Sequence, residues 1–315
     1  MIQSSRLLNQ AHFRESNVSI RTIVAAVALE TDNDPVIARA MQLARQHGAR
    51  LVFIHVIEDV FHRDEALPAS VDAATLQRTA EQAAGDRIRG MIGDALPQGG
   101  VDIILETGKP YEVIHEIAQR EQADILLIGP GNARSVRERV FGSTADRLVR
   151  IATSPVLVVR GAAVIPYAHV SVAMDFSAPA RAAFEAAARL AGQAEMELVH
   201  MVEIPLTYEQ AMLKAGTPKM EIQRYRRSKV SAARRQLVEF VTEPRGFSVE
   251  PSLRIVQGEA SAALVRLSRS GRTDLLALGL HSRNKMARAL LGSVARRVLQ
   301  GAACDLLVVG AKALP

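Results

Sequence analysis

The sequence predicts an α/β protein built twice. Each of two tandem domains is expected to hold a five-stranded, mainly parallel sheet with helices on both faces. Three observations carry this. Apolar runs of strand length alternate with amphipathic stretches in the order β-α-β-α-β-α-β-α-β in each half, and helices between successive strands imply right-handed crossovers and parallel pairing. The runs LVFIHV, DILLIG and PVLVV, then ELVHMV, DLLALG and LLVVG, are almost continuously apolar, as strands covered on two faces must be. The second half also repeats the first in register.

In chain order, residues 1–19 (MIQSSRLLNQAHFRESNVS) have no continuous apolar core and are expected to be a polar tail rather than a secretory signal. The first domain, 20–160, opens with IRTIVAAVALETDNDPVIARAMQLARQHGARLVFIHVIED: a strand, a polar turn, an Ala-rich helix and a second strand containing His55. HVSVAMDFSAPARAAFEAAARLAGQAEMELVHMVE (169–203) follows the same plan, with His200 in its second strand. A long helix comes next in each half, over roughly 70–95 and 219–242. In the latter, Val230, Ala233, Leu237 and Phe240 recur at three-four spacing and should face the sheet. VDIILETGKPYEVIHEIAQREQADILLIG then matches SLRIVQGEASAALVRLSRSGRTDLLALG. Gly108 meets Gly258, Gly129 meets Gly279 and Gly142-Ser143 meets Gly292-Ser293, each pair 150 positions apart. SPVLVVRG pairs with CDLLVVGA as the last strand. Residues 161–168, with their Gly and Pro, are the expected linker to the second domain, 169–315.

Composition narrows the class. A chain of 315 residues suits two domains, and 48% hydrophobic with 23% charged residues is ordinary for a soluble protein. With no Trp, the core must be Ala, Val, Leu and Ile. The net charge of +6 suits anionic ligands but is a mild excess. The densest run, QRYRRSKVSAARR with Arg224, Arg226, Arg227, Lys229, Arg234 and Arg235, reads as a solvated helix face rather than a nucleic-acid site. The single cysteine, Cys304, precludes an intrachain disulfide and reads as a small core side chain. No stretch approaches the roughly 20 apolar residues that span a bilayer, so a cytoplasmic protein is expected.

The chemistry is expected at the end of the run TDLLALG. Gly279 ends it, Arg283, Lys285 and Arg288 follow, and Gly292-Ser293 opens the next helix. In an open parallel sheet, ligands bind at the carboxyl ends of strands where strand order reverses. Glycine permits positive φ and close backbone approach. Successive N–H groups and the helix start favour an anion, with Ser293 as N-cap or as hydroxyl donor. A glycine turn before a capped helix, with no ligand, would read the same way.

The spacing Gly279-Leu-His-Ser282, nine residues, Gly292-Ser293 resembles the nucleotide signature G-x-x-G-(nine)-G-S/T of the universal stress protein family. SVAMDFS, with Asp175, and ELVHMVE are similar to that family's first two strands. The resemblance covers nearly the whole chain in two copies. It implies Rossmann-like domains, a role in stress survival, and ATP as ligand, with Mg2+ accompanying it. Carried onto the second half, it would place Asp175 at the ribose or adenine and the main chain around Met201 at the adenine. Gly279, Ser282, Gly292, Ser293 and Val294 would surround the phosphates. By position alone, His281 in the loop could donate to a phosphate, and Arg283 flanks it with charge. Ser282 departs from the signature, standing where a second glycine is usual.

The first half departs further. It keeps Gly129, Gly142, Ser143 and Thr144 and has Asn132 at the second glycine position, but Ala28 aligns with Asp175. Losing that carboxylate should cost about 1–3 kcal/mol, unless Glu30 or Asp32 replaces it from the following turn. The expectation is a better-kept site in the second half and a weak one in the first.

His55, His115 and His200, in or beside apolar runs, read as hydrogen-bonded structural histidines. No H-E-x-x-H or Cys/His metal spacing, G-x-S-x-G elbow or P-loop is present, so slow ATP hydrolysis is the most that is expected. The combined expectation is a cytoplasmic stress-response protein that binds ATP as a regulatory signal. The alternatives are a non-nucleotide interaction module with degenerate sites, or a slow ATPase. Duplication suggests that the halves pack as an intramolecular pseudo-dimer, through the fifth strands as the family implies. Further homo-oligomerisation is also compatible with the sequence.

Overall fold

The computed structural model describes residues 19–31, 34–57, 72–94, 96–131, 141–161, 165–242, 249–280 and 291–313. Ten strands form one sheet. In the first half these are β1 (Thr22–Ala26), β2 (Arg50–Ile57), β3 (Val101–Thr107), β4 (Ile125–Ile128) and β5 (Val156–Val158). In the second they are β6 (His169–Ala173), β7 (Glu195–Val202), β8 (Ser252–Gln257), β9 (Leu275–Gly279) and β10 (Asp305–Val309). The order is β3-β2-β1-β4-β5-β10-β9-β6-β7-β8. Pairing is parallel within each half, and β5 and β10 pair antiparallel, Leu157 against Leu307, to join the halves. The expected pairing of the fifth strands is therefore observed, and the two expected sheets are one.

The strand runs are apolar because both faces are covered. Ile125–Ile128 and Leu275–Leu278 are buried throughout, and the core lies in two layers, each continuous across both halves. Helices α1 (Pro35–His47), α2 (Ala73–Ile92), α5 (Ala178–Leu190) and α7 (Lys219–Thr242) cover one face. Helices α3 (Pro110–Arg120), α4 (Ser143–Ile151), α8 (Ala260–Ser268) and α9 (Ser293–Gly301) cover the other. In α7, Ala233, Leu237 and Phe240 are buried and Val230 is half-buried, as their spacing requires. A short helix before it, α6 (Leu206–Lys214), has no buried residue and no clear apolar period, so the sequence did not announce it.

Local chemistry starts the elements. Asp34 caps α1, accepting from the Val36 N–H at 2.8 Å with Pro35 at the first helical position, and Gly48 ends the helix at φ 65°. The repeat also carries a fastening device. Asp124 accepts from the N–H groups of Arg21 and Thr22, and Asp274 from those of Ala168 and His169, so the acid before each fourth strand secures the start of each first strand.

Within the expected linker, Ile165 and Tyr167 are anchored. Tyr167 is buried, and its hydroxyl donates to Asp305 Oδ2 at 2.7 Å. Arg39 of α1 donates through Nε to the same oxygen at 3.2 Å and through Nη1 to the Ile165 carbonyl at 2.7 Å.

Candidate functional site

In each half, the chain leaves the first strand through the same sharp feature. Leu29 (φ 56°) and Phe176 (φ 63°) both sit in the left-handed region, a costly place for bulky residues. Immediately before them, Ala28 and Asp175 stand exposed at the carboxyl edge of the sheet. Histidine fixes this turn in both copies. His55 Nδ1 lies 2.9 Å from the Val27 carbonyl and His200 Nδ1 lies 2.7 Å from that of Met174. The carbonyl can only accept, so each ring carries a proton on Nδ1. The Val27 and Met174 N–H groups bond back to Ile54 and Val199. These are the hydrogen-bonded structural histidines expected from sequence. His115 is not: it has no such bond among the described residues, and burial, with Lys312 nearby, holds its pKa below the ordinary value.

Asp175 Oδ1 accepts from the Ser177 N–H at 3.0 Å, which fixes the carboxylate where β6 ends. Ser177 in turn caps α5 through the Ala180 N–H. The acid therefore belongs to a rigid turn with its charge toward solvent.

The described ends of the loop after β4 meet. In the first half, Gly131 has φ 83°, and a Cβ there would lie 2.6 Å from the Gly142 Cα. The Gly142 N–H donates to Pro130 at 2.9 Å. Two glycines, eleven positions apart in sequence, thus touch and bring the start of α4 beside the end of β4. Gly131 was not singled out by the signature, which uses Gly129 and Asn132; the second glycine of GPGN was the available signal.

Helices α4 and α9 begin in the same way. Gly142 (φ −62°, ψ 149°) and Gly292 (φ −59°, ψ 153°) are the caps, with no side-chain cap bond in either. This corrects one of the two roles considered for Ser293: it is the first helical residue, not the N-cap, and Ser143 is its counterpart. Both serines are exposed, and the first-turn N–H groups beside them have no acceptor within the helix. Thr144 and Val294, next along, are half-buried.

Gly279 also differs from expectation. Its backbone is not left-handed; its glycine is needed because α5 starts against it, and a Cβ would lie 2.2 Å from the Pro179 carbonyl carbon. Gly129, its counterpart, is open, with Val36 Cγ2 at 3.7 Å from such a Cβ. The expected close approach exists at Gly279, but to a helix of the same chain.

These pieces enclose a cleft of about 440 Å³ at the carboxyl edge of the first half. Ala26, Ile54, Val56, Ile114 and Ile128 form apolar walls, and Gly129, Gly131, Gly142, Ser143 and Thr144 the polar end. His55 and Glu30 also line it. The structure thus brings Gly129, Gly142, Ser143 and Thr144 together, with Glu30 beside the position where the first half lacks an acid. In the second half, Asp175 follows the end of β6, Gly279 ends the neighbouring β9, and Gly292 caps α9 ahead of Ser293 and Val294. Met201 lies near the end of β7, with its side chain toward α8. Asn132, His281, Ser282 and Arg283 lie outside the described residues. No group of three or more His, Cys, Asp or Glu suited to a metal occurs among the described residues, and no described helix is long and apolar enough to cross a membrane.

Comparison with known proteins agrees with this architecture. The family model "Universal stress protein family" matches twice, over residues 19–160 and 166–310. A universal stress protein of Thermus aquaticus, named for its position 3′ of a sulfhydrylase gene, is 32% identical over 117 residues, 37% of this chain and 82% of the relative. Universal stress protein G of Salmonella typhimurium is 29% identical over 136 residues, 40% of this chain and 95% of the relative. Among solved structures, a protein of unknown function from Pseudomonas aeruginosa PAO1 matches with a TM-score of 0.62 at 16% identity, covering 93% of this chain and 94% of its own. A universal stress protein from Archaeoglobus fulgidus matches with a TM-score of 0.59 at 16% identity, covering 94% and 99%. Two family matches, one for each half of a single ten-stranded sheet, make the chain a tandem member of the universal stress protein family.

Proposed function

We propose that this protein binds an adenine nucleotide, ATP with its accompanying Mg2+, at the carboxyl edge of its sheet, mainly in the second half. Occupancy serves as a regulatory signal in the cytoplasmic response to stress. The observation that carries this reading is the pair of helix starts at Ser143 and Ser293. Each opens on a glycine, which supplies no side-chain cap to the first-turn N–H groups, beside the carboxyl end of a parallel strand, an arrangement suited to phosphate. In the second half, Asp175 adds an exposed, rigidly held carboxylate suited to ribose hydroxyls. With no P-loop lysine in the sequence, the site suits retention of ATP rather than rapid hydrolysis.

Glu30 favours a second reading for the first half. Because it lines the cleft there, that half also takes a nucleotide, with the acid supplied two residues later in the chain than in the second half.

The test is thermal unfolding with and without Mg-ATP for the wild type, Asp175→Asn and Glu30→Gln. Saturation at about 100 times the dissociation constant stabilises the protein by about 2.7 kcal/mol and raises the midpoint by a few degrees. The shift should shrink strongly in Asp175→Asn and slightly in Glu30→Gln. The opposite ranking would move the principal site to the first half. No shift at millimolar ATP would leave an interaction module.

A further inference from the structure

A second pocket, of about 210 Å³, lies in the second half between α8 and strands β7 and β8. Its walls are Val199, Met201, Val256, Ala263, Leu264 and Leu267, and its rim carries Arg254, Arg266 and Arg272. Arg254 is engaged by Glu197 at 3.4 Å. Arg266 and Arg272 are exposed, and neither side chain has a hydrogen-bonding or ionic partner among the described residues.

These two arginines are not occupied in capping α8. The Ser268 and Ser270 hydroxyls serve the carbonyls of Val265 and Leu267, the Arg269 N–H serves that of Arg266, and the Arg269 guanidinium reaches across to Gly301. Nor does the fold itself demand them. The first half, with the same strand and helix in register, has Ile104, Glu116 and Gln122 at the corresponding positions. The second copy has therefore gained three positive charges around an apolar hollow.

The geometry points to a binding site for a small organic anion: a compact apolar body, the size of one phenyl ring, carrying a carboxylate. A cavity of about 150 Å³ admits benzene, so this pocket holds such a body with room for the acid group at the rim. Arg266 and Arg272 supply charge-assisted hydrogen bonds there. The apolar walls reject bare inorganic anions, and the unpaired guanidinium groups favour acids over alcohols of the same shape.

The probe is phenylacetate, titrated into the full-length, nucleotide-free chain with the Met201 methyl resonance as reporter, so the outcome does not depend on ATP. We expect a saturable shift with a dissociation constant of about 1 mM or below. Acetate and 2-phenylethanol should bind about tenfold or more weakly. The double variant Arg266→Gln, Arg272→Gln should lose about tenfold while keeping its unfolding midpoint, since both side chains are exposed. Ala263→Met, which fills the hollow, should lose binding with the arginines intact. Equal binding of 2-phenylethanol, equal binding by the double variant, or no shift of Met201 at about 10 mM phenylacetate would overturn the proposal.

Discussion

Arg39 and Asp305 stand 266 positions apart in sequence and meet at 3.2 Å, with side chains only 5% and 2% exposed. The same carboxylate accepts from the Tyr167 hydroxyl and from the N–H groups of Arg160 and Gly161. One side chain of β10 thus ties together α1, the end of β5 and the linker. Asp305→Ala would leave a buried guanidinium and several donors unanswered. We expect a loss of about 3–5 kcal/mol, measured by urea unfolding, whereas Tyr167→Phe, which removes one hydroxyl, should cost about 1 kcal/mol.

The glycines at the ends of β4 and β9 should respond differently to a single methyl group. Gly279→Ala drives its Cβ into the backbone at Pro179 and Ala180. It should therefore destabilise by about 1–3 kcal/mol. Gly129→Ala meets only ordinary contact with Val36 and should leave the thermal midpoint nearly unchanged. Gly131→Ala combines a left-handed φ with a close approach to Gly142, so it should disturb the first-half cleft as well as stability.

Acid should weaken the fold through His47. Burial is the larger influence and lowers its pKa below 6.5, although its ring contact with the Leu190 carbonyl opposes this. The unfolded chain then binds more protons than the folded one as pH falls past 6.5 toward the lowered folded value, and stability falls with it. Below the folded value the penalty is constant. His115 acts in the same direction. Urea midpoints measured from pH 7.5 to 5 should decline less steeply in His47→Gln than in the wild type.

Cys304 should be inert. Burial pushes its thiol up to about 12, with Asp305 beside it adding to the effect, so almost no thiolate forms near neutrality. Iodoacetamide at pH 7.5 should leave the native chain unmodified and alkylate it once urea unfolds the protein, as intact mass would show. Rapid native labelling would mean that the β10 end opens readily.

The parts of this architecture legible in the sequence are those set by period and repetition. Continuous apolar runs and a fixed spacing between copies give the strands and their parallel pairing, while the pairing of the fifth strands came only from the family resemblance. Asp305 was not legible, because its meaning depends on Arg39 and Tyr167, brought to it only by the joined sheet. The signal was faint: an acid heading a buried strand where the other copy has Pro155. The role of Gly279 was hidden for a similar reason, since what touches it is the start of α5, far away in sequence. Gly131 was locally visible, but a fixed motif directed attention one residue further on. The arginine rim became meaningful only once Arg254, Arg266 and Arg272 were seen around one hollow.

The antiparallel β5–β10 seam has a further consequence. In an assembly of two identical chains, every substitution is made on both sides of the symmetry axis and must be tolerated twice. Here the mate across the axis is always the covalently attached copy, so each side can change alone. Asp305 where the first copy has Pro155, and Arg266 where it has Glu116, are differences that a homodimer could not encode. With both copies in one chain, the two sides of the β5–β10 contact can therefore differ in sequence.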